Sequence, residues 1–202
     1  VALLGDGTLV VIHDPSLDRT TSASGSLAGI GAADLHTIDA GSWFDPLFGG
    51  EKLLTFEQAL VALGELGLNV NVEIKQHAHH KSLAQLTEAV HADLQRRNGQ
   101  TQVMISSFDA QALKAMKQLD PSYDVAMLWG ELPADWETVL DAIPASAIHL
   151  HYRHLSFALL DATRKRDVLV RVWTCNAPEQ LAPFWAEGLA GVITDNPKLF
   201  LS

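Results

Sequence analysis

The sequence predicts an α/β fold built on a parallel sheet, and three observations carry that expectation. Short β-branched runs alternate with amphipathic helical stretches from residue 68 onward. Polar and aromatic residues collect where those runs finish, and no linker, repeat or low-complexity tract divides the 202 residues. Strand–helix units in series imply parallel strands, because a parallel pair needs a long crossover and a helix supplies it. With 48% hydrophobic content the chain can bury a full core, and one domain is the default.

The elements follow in order. LVVIH (9–13) reads as a strand, and the rest of the segment up to residue 54 as hairpin and loop. A helix is expected at about 55–64, where Thr55 and Gln58 match a capping box, a hydroxyl and an amide each bonding the other's backbone N–H. NVNVEIK (69–75), QVMISSF (102–108), DVAMLW (124–129), SAIHLHY (146–152), LVRVWTCN (169–176) and GVITDN (191–196) are the remaining strands. Between them lie helical patterns such as 82–97 and 110–119, with Ser82 and Asp109 as N-caps and Gly99 as a stop. In a barrel the site is built from the carboxyl ends of the strands, and in an open doubly wound sheet it sits in a crevice at the same ends. Six strand–helix units are visible where a closed barrel has eight, and such a barrel runs to about 250 residues, so the deficit falls at the amino end.

Composition narrows the partners. The net charge is −10 with no Lys/Arg block, which argues against nucleic acid and anionic membrane surfaces. No apolar run approaches the roughly 18 residues of a membrane-spanning helix, so membrane insertion is not expected. The single Cys175 excludes an internal disulfide and fits a reducing compartment, here the cytoplasm; a signal peptide cannot be assessed because Val1 is not a natural start.

NVNVEIK is the most informative strand. Alternation places Asn69, Asn71, Glu73 and Lys75 on one face and Val70, Val72 and Ile74 on the other. Both faces of a parallel sheet are covered, and a buried charge needs a partner. Glu73 suits a hard divalent cation, which prefers oxygen ligands, and Lys75 suits an anionic substrate oxygen. His13 and Asp14 admit two readings. In one, Asp14 caps the following turn and His13 is merely polar at a strand end. In the other, His13 is a general acid or base, with Arg19 and the Thr20 and Thr21 hydroxyls fixing the loop around it. HAHH (77–80) resembles a metal-binding tract, but it lies in the loop after EIK and reads as a solvated loop tip containing His77, His79 and His80. His149 and His151 form an H-x-H at a strand end that, with Asp195, suits a zinc-dependent hydrolase of C–N bonds. A non-catalytic protein retaining the scaffold for binding or assembly is a third reading.

Together DGTLVVIHDPSLDRTT (6–21), DAGSWF (39–44), VEIK (72–75), SSF (106–108), VWTCN (172–176) and ITDNP (193–197) resemble the glycerophosphodiester phosphodiesterase family, in its short bacterial cytoplasmic form. The resemblance implies a TIM (β/α)8 barrel and metal-dependent hydrolysis of glycerophosphodiesters to an alcohol and glycerol 3-phosphate, in glycerophospholipid breakdown. It implies that His13 is one of two catalytic histidines, Glu73 a ligand of Mg2+ or Ca2+, and Lys75 a phosphate contact. Phe108 and Trp173 would line the glycerol or entrance side, and Arg171, on the same face as Trp173, would be an interior ion-pair partner. The family pattern also asks for an amino-terminal His-Arg-Gly and a Glu-x-Asp, neither of which occurs in the 202 residues. The expectation is therefore one barrel domain over 1–202, with a hairpin and loop insertion at about 1–54, lacking its first βα unit and most of its second strand. Alone, such a chain is expected neither to close a barrel nor to turn over substrate, and its exposed strand edges favour a homo-oligomer.

Overall fold

The computed structural model describes residues 1–77, 81–97 and 101–201. Expected features at His79, His80 and Gly99 lie outside the described residues. The chain divides into two compact units, residues 1–103 with 115–121, and residues 104–114 with 122–202.

The first unit opens with a short antiparallel hairpin, β1 (Ala2–Leu3) and β2 (Leu9–Val10), in which Ala2 faces Val10 and Leu3 faces Leu9. The strand is shorter than the expected 9–13. After Val10 the chain leaves β1: the Val11 N–H donates to the Leu54 carbonyl at 3.0 Å, and residues 12–15 turn away. Three 3-10 turns follow, at Leu27–Gly29, Ala32–Thr37 and Pro46–Phe48. They are not loose loop. Ala2, Leu4, Val10, Ile12, Leu17, Leu27, Leu35, Ile38 and Leu53 form a buried apolar cluster of their own, so the segment before residue 54 carries a core.

Helix α1 (Phe56–Glu65) starts at Thr55, whose hydroxyl accepts from the Gln58 N–H while the Gln58 amide oxygen accepts from the Thr55 N–H, the expected box. β3 (Val70–Glu73) buries Val72, and Ile74 just beyond it, while Glu73 and Lys75 share the other face. Main-chain bonds tie this strand to residue 1: the Val1 nitrogen donates to the Glu73 carbonyl at 2.6 Å, and the Lys75 N–H donates to the Val1 carbonyl at 3.1 Å. α2 (Leu83–Arg96) begins at Ser82, which forms a second capping box with Gln85, and buries Leu86, Val90 and Leu94. β4 (Val103–Ser107) and α3 (Ala110–Leu119) contribute residues to both units.

The second unit is a parallel sheet. β4, β5 (Asp124–Trp129), β6 (Ala147–His151), β7 (Leu169–Trp173) and β8 (Leu189–Val192) are neighbours in the order in which they occur in the chain. α4 (Trp136–Ala142), α5 (Phe157–Arg164) and α6 (Pro178–Trp185) connect them. A doubly wound sheet reverses its strand order at a switch point; five strands in strict sequence are the pattern of a barrel wall. β8 falls earlier than the expected 191–196. Thr194 and Asp195 leave the ladder because their polar groups are bonded to Asn176, and an apolar pattern does not register that competition.

Candidate active site

In the first unit, alternation along β3 and the turn after β2 bring three expected residues together. His13 Nε2 lies 2.7 Å from Lys75 Nζ, and Lys75 Nζ lies 3.3 Å from Glu73 Oε1. The Lys75 and Glu73 side chains are 16% and 26% exposed, enough shelter for a charge contact to outweigh one made in open water. On its other side His13 Nδ1 sits 2.8 Å from Asp14 Oδ1. An ionised carboxylate only accepts and an ammonium only donates, so the hydrogen of the neutral ring belongs on Nδ1 and the lone pair on Nε2.

Asp14 is not a turn cap. Arg19 Nε donates to its Oδ2 at 2.5 Å and Arg19 Nη2 to its Oδ1 at 2.9 Å. The guanidinium first, and the imidazole second, hold the Asp14 carboxyl well below the usual carboxylate range. Thr21 fixes the loop as expected, its hydroxyl donating to the Leu17 carbonyl at 2.7 Å and accepting from the Ala23 N–H. Sequence reasoning missed Trp43, whose ring lies 5.9 Å from the Arg19 guanidinium carbon; the DAGSWF motif that contains it was the available signal.

In the second unit, Phe108 and Trp173 meet edge to face with ring centroids 5.5 Å apart, and Phe108 is 51% exposed. Trp173 Nε1 donates to the His149 carbonyl at 3.1 Å, and its ring packs edge-on against His151 at 5.1 Å. These strand ends form an aromatic wall. Arg171 departs from expectation. Among the described residues it makes no ion pair; it stands opposite His149 across the β6–β7 ladder and its Nη1 donates to Met104 Sδ at 3.3 Å. Gly191 leaves room for its stem, since a Cβ there would meet Arg171 Cδ at 3.4 Å.

The zinc reading fails on geometry. His149 is buried, with neither ring nitrogen bonded, and burial first and Arg171 second lower its pKa to about 4. His151 is packed among Tyr152, His154 and Trp173. Asp195 is engaged by Asn176 Nδ2 at 2.9 Å. Among the described residues no three His, Cys, Asp or Glu side chains are grouped to hold a metal. His77, expected in a solvated loop tip, is half-buried.

The profile of the glycerophosphoryl diester phosphodiesterase family matches residues 1–199. A glycerophosphodiester phosphodiesterase of Caldanaerobacter subterraneus subsp. tengcongensis is 29% identical over 203 residues, spanning 100% of this chain and 82% of that protein. One from Bacillus subtilis is 29% identical over 212 residues, 96% of this chain and 71% of the relative. Among solved structures, an Oleispira antarctica phosphodiesterase in complex with the product sn-glycerol-3-phosphate matches with a TM-score of 0.92 and 25% identity, over 98% of this chain and 79% of that one.

Proposed function

Because the chain belongs to the glycerophosphoryl diester phosphodiesterase family, a family of phosphoric diester hydrolases, we propose that it cleaves glycerophosphodiesters with water to an alcohol and glycerol 3-phosphate, in glycerophospholipid breakdown. The observation that carries the reading is the 2.7 Å contact between His13 Nε2 and Lys75 Nζ, which sets a cation and a proton-transfer group side by side.

Lys75 is the phosphate-binding residue in this reading. Its ammonium binds a non-bridging phosphoryl oxygen and balances the charge that grows there as the P–O bond to the incoming oxygen forms and the bond to the leaving alkoxide breaks. Moving onto the phosphate draws Lys75 from His13 and frees the Nε2 lone pair. His13 then exchanges a proton at Nε2 with the attacking or the leaving oxygen. Phe108 and Trp173 offer an apolar wall for the glycerol or for the entrance side.

Metal dependence, with Mg2+ or Ca2+ on Glu73, belongs to the same reading, but the described residues do not fit such an ion by themselves. Glu73 supplies one carboxylate, already shared with Lys75, whereas a hard cation takes about six or more oxygen ligands. The steps above are therefore assigned to His13 and Lys75. The reading also treats residues 1–202 as one domain of the (β/α)8 type with an insertion at about 1–54. It places the protein in the cytoplasm, where a free, buried Cys175 is at home. Among the described residues no helix is long and apolar enough to cross a membrane.

The test is 31P NMR of glycerophosphocholine incubated with the full-length protein and Mg2+ or Ca2+. Growth of the glycerol 3-phosphate resonance is expected. An unchanged diester under both cations, or phosphocholine as product, overturns the proposal.

A further inference from the structure

We propose that Asp14, held by Arg19 and backed by Trp43, is a positioning residue that fixes His13 in the tautomer with its lone pair at Nε2, facing Lys75; this rests on the proton-transfer reading of His13. Side chains of adjacent residues point to opposite faces in a strand and cannot meet. Here β2 ends at Val10, so His13 and Asp14 lie in a turn and reach each other at 2.8 Å. Pro15 restricts the Asp14 backbone to the extended region and so helps hold that turn.

Asp14 is itself held. Arg19 bonds both carboxylate oxygens, leaving the group no freedom to rotate about its terminal bond, and the Asp14 side chain is 19% exposed between two more exposed partners. The guanidinium is placed in turn by the Trp43 ring, 5.9 Å away, a distance at which the ring's negative face attracts a cation. Trp43 is anchored by its Nε1, which donates to the Ala40 carbonyl at 2.9 Å. The loop beneath is closed by Asp39, whose carboxylate accepts from the backbone N–H groups of Gly41, Ser42 and Gly50 at 3.0, 2.8 and 2.5 Å. Gly41 is required there, since a Cβ would fall 2.0 Å from the Phe48 carbonyl oxygen. A continuous series of contacts thus runs from the DAGSWF loop through Arg19 and Asp14 to His13, giving both motifs one purpose.

An amide at position 14 breaks the arrangement. It donates to Nδ1 and moves the ring hydrogen to Nε2, or it turns an N–H against the guanidinium. The experiment compares wild type with Asp14→Asn, Asp14→Glu, Arg19→Ala and Trp43→Ala by two-bond 1H–15N spectra of the His13 ring and by steady-state kinetics, with circular dichroism as the check on folding. The wild-type ring should carry its hydrogen on Nδ1. Asp14→Asn should shift it to Nε2 and lower kcat on the order of 100-fold or more, with KM within about threefold. Asp14→Glu should recover part of that loss, and Trp43→Ala should cost about 2- to 5-fold. If Asp14→Asn does not fold, Arg19→Ala carries the test, with mixed tautomers expected. Wild-type kcat in Asp14→Asn, or an unchanged Nδ1–H ring in whichever variant carries the test, overturns the proposal. If His13→Ala keeps full activity, the catalytic reading falls instead, while the spectra still decide whether Asp14 sets the ring.

Discussion

His13 and His149 are the same side chain in opposite circumstances, one in each unit of the chain. His13 has a side chain 68% exposed, yet both ring nitrogens are within hydrogen-bond reach of a charged neighbour, Asp14 on one side and Lys75 on the other. His149 is 1% exposed and has neither nitrogen bonded. Burial and the nearby Arg171 keep it neutral, with a pKa of about 4. A histidine that works must present one nitrogen to substrate while the other is held; the buried one can do neither. Charged partners, not shelter, are what separate the two rings.

The comparison is most exposed to failure through His13 itself. His13→Ala should lower kcat by about 100- to 10,000-fold while the circular dichroism spectrum is kept, and His151→Ala should stay within a few-fold of wild type, since its ring is packed among aromatics rather than aimed at a proton. Loss of activity in His151→Ala with His13→Ala active would reverse the assignment. Lys75→Ala comes next. A charge-assisted bond to phosphate contributes about 1.5–3 kcal/mol, so kcat/KM should fall about 10- to 100-fold. Full rate at low substrate would remove Lys75 from the phosphate role.

His149 makes its own prediction, in stability rather than rate. Its folded-state pKa of about 4 lies below the ordinary 6.5, so the unfolded chain takes up a proton first as pH falls. The stability is present above about pH 6.5 and is lost progressively towards pH 4, by up to about 3 kcal/mol. Urea unfolding at pH 7 and pH 4.5 should show a smaller drop for His149→Leu than for wild type. Equal drops would mean that the ring is hydrated in the native state. Smaller still, Thr55→Ala should cost about 1 kcal/mol by removing the cap of α1, with activity unchanged.

Much of the fold was legible because periodicity and caps are local. The helix expected at 110–119 occupies those residues, and the one at 82–97 differs by a residue at each end. β8 stops at Val192, short of the expected 196, because Thr194 and Asp195 bond to Asn176, a partner 18 and 19 residues away that no window of hydrophobicity contains. The site divides in the same way. Glu73 and Lys75 follow from the two-residue period of a strand. The contact between His13 and Lys75 crosses 62 residues, and no local pattern pairs two residues so far apart. Asp before Pro commonly opens a turn, so a cap at Asp14 is a natural reading; the sequence names Arg19 as fixing the same loop, but not that it would do so by taking both Asp14 carboxylate oxygens.

Product binding tests the central claim most directly. Glycerol 3-phosphate titrated into the full-length protein, with the His and Lys side-chain resonances followed by NMR, should move His13 and Lys75 together as the phosphate takes Lys75 Nζ from His13 Nε2. His149 should stay still. Shifts centred on His149 and His151 with His13 and Lys75 silent would contradict the account.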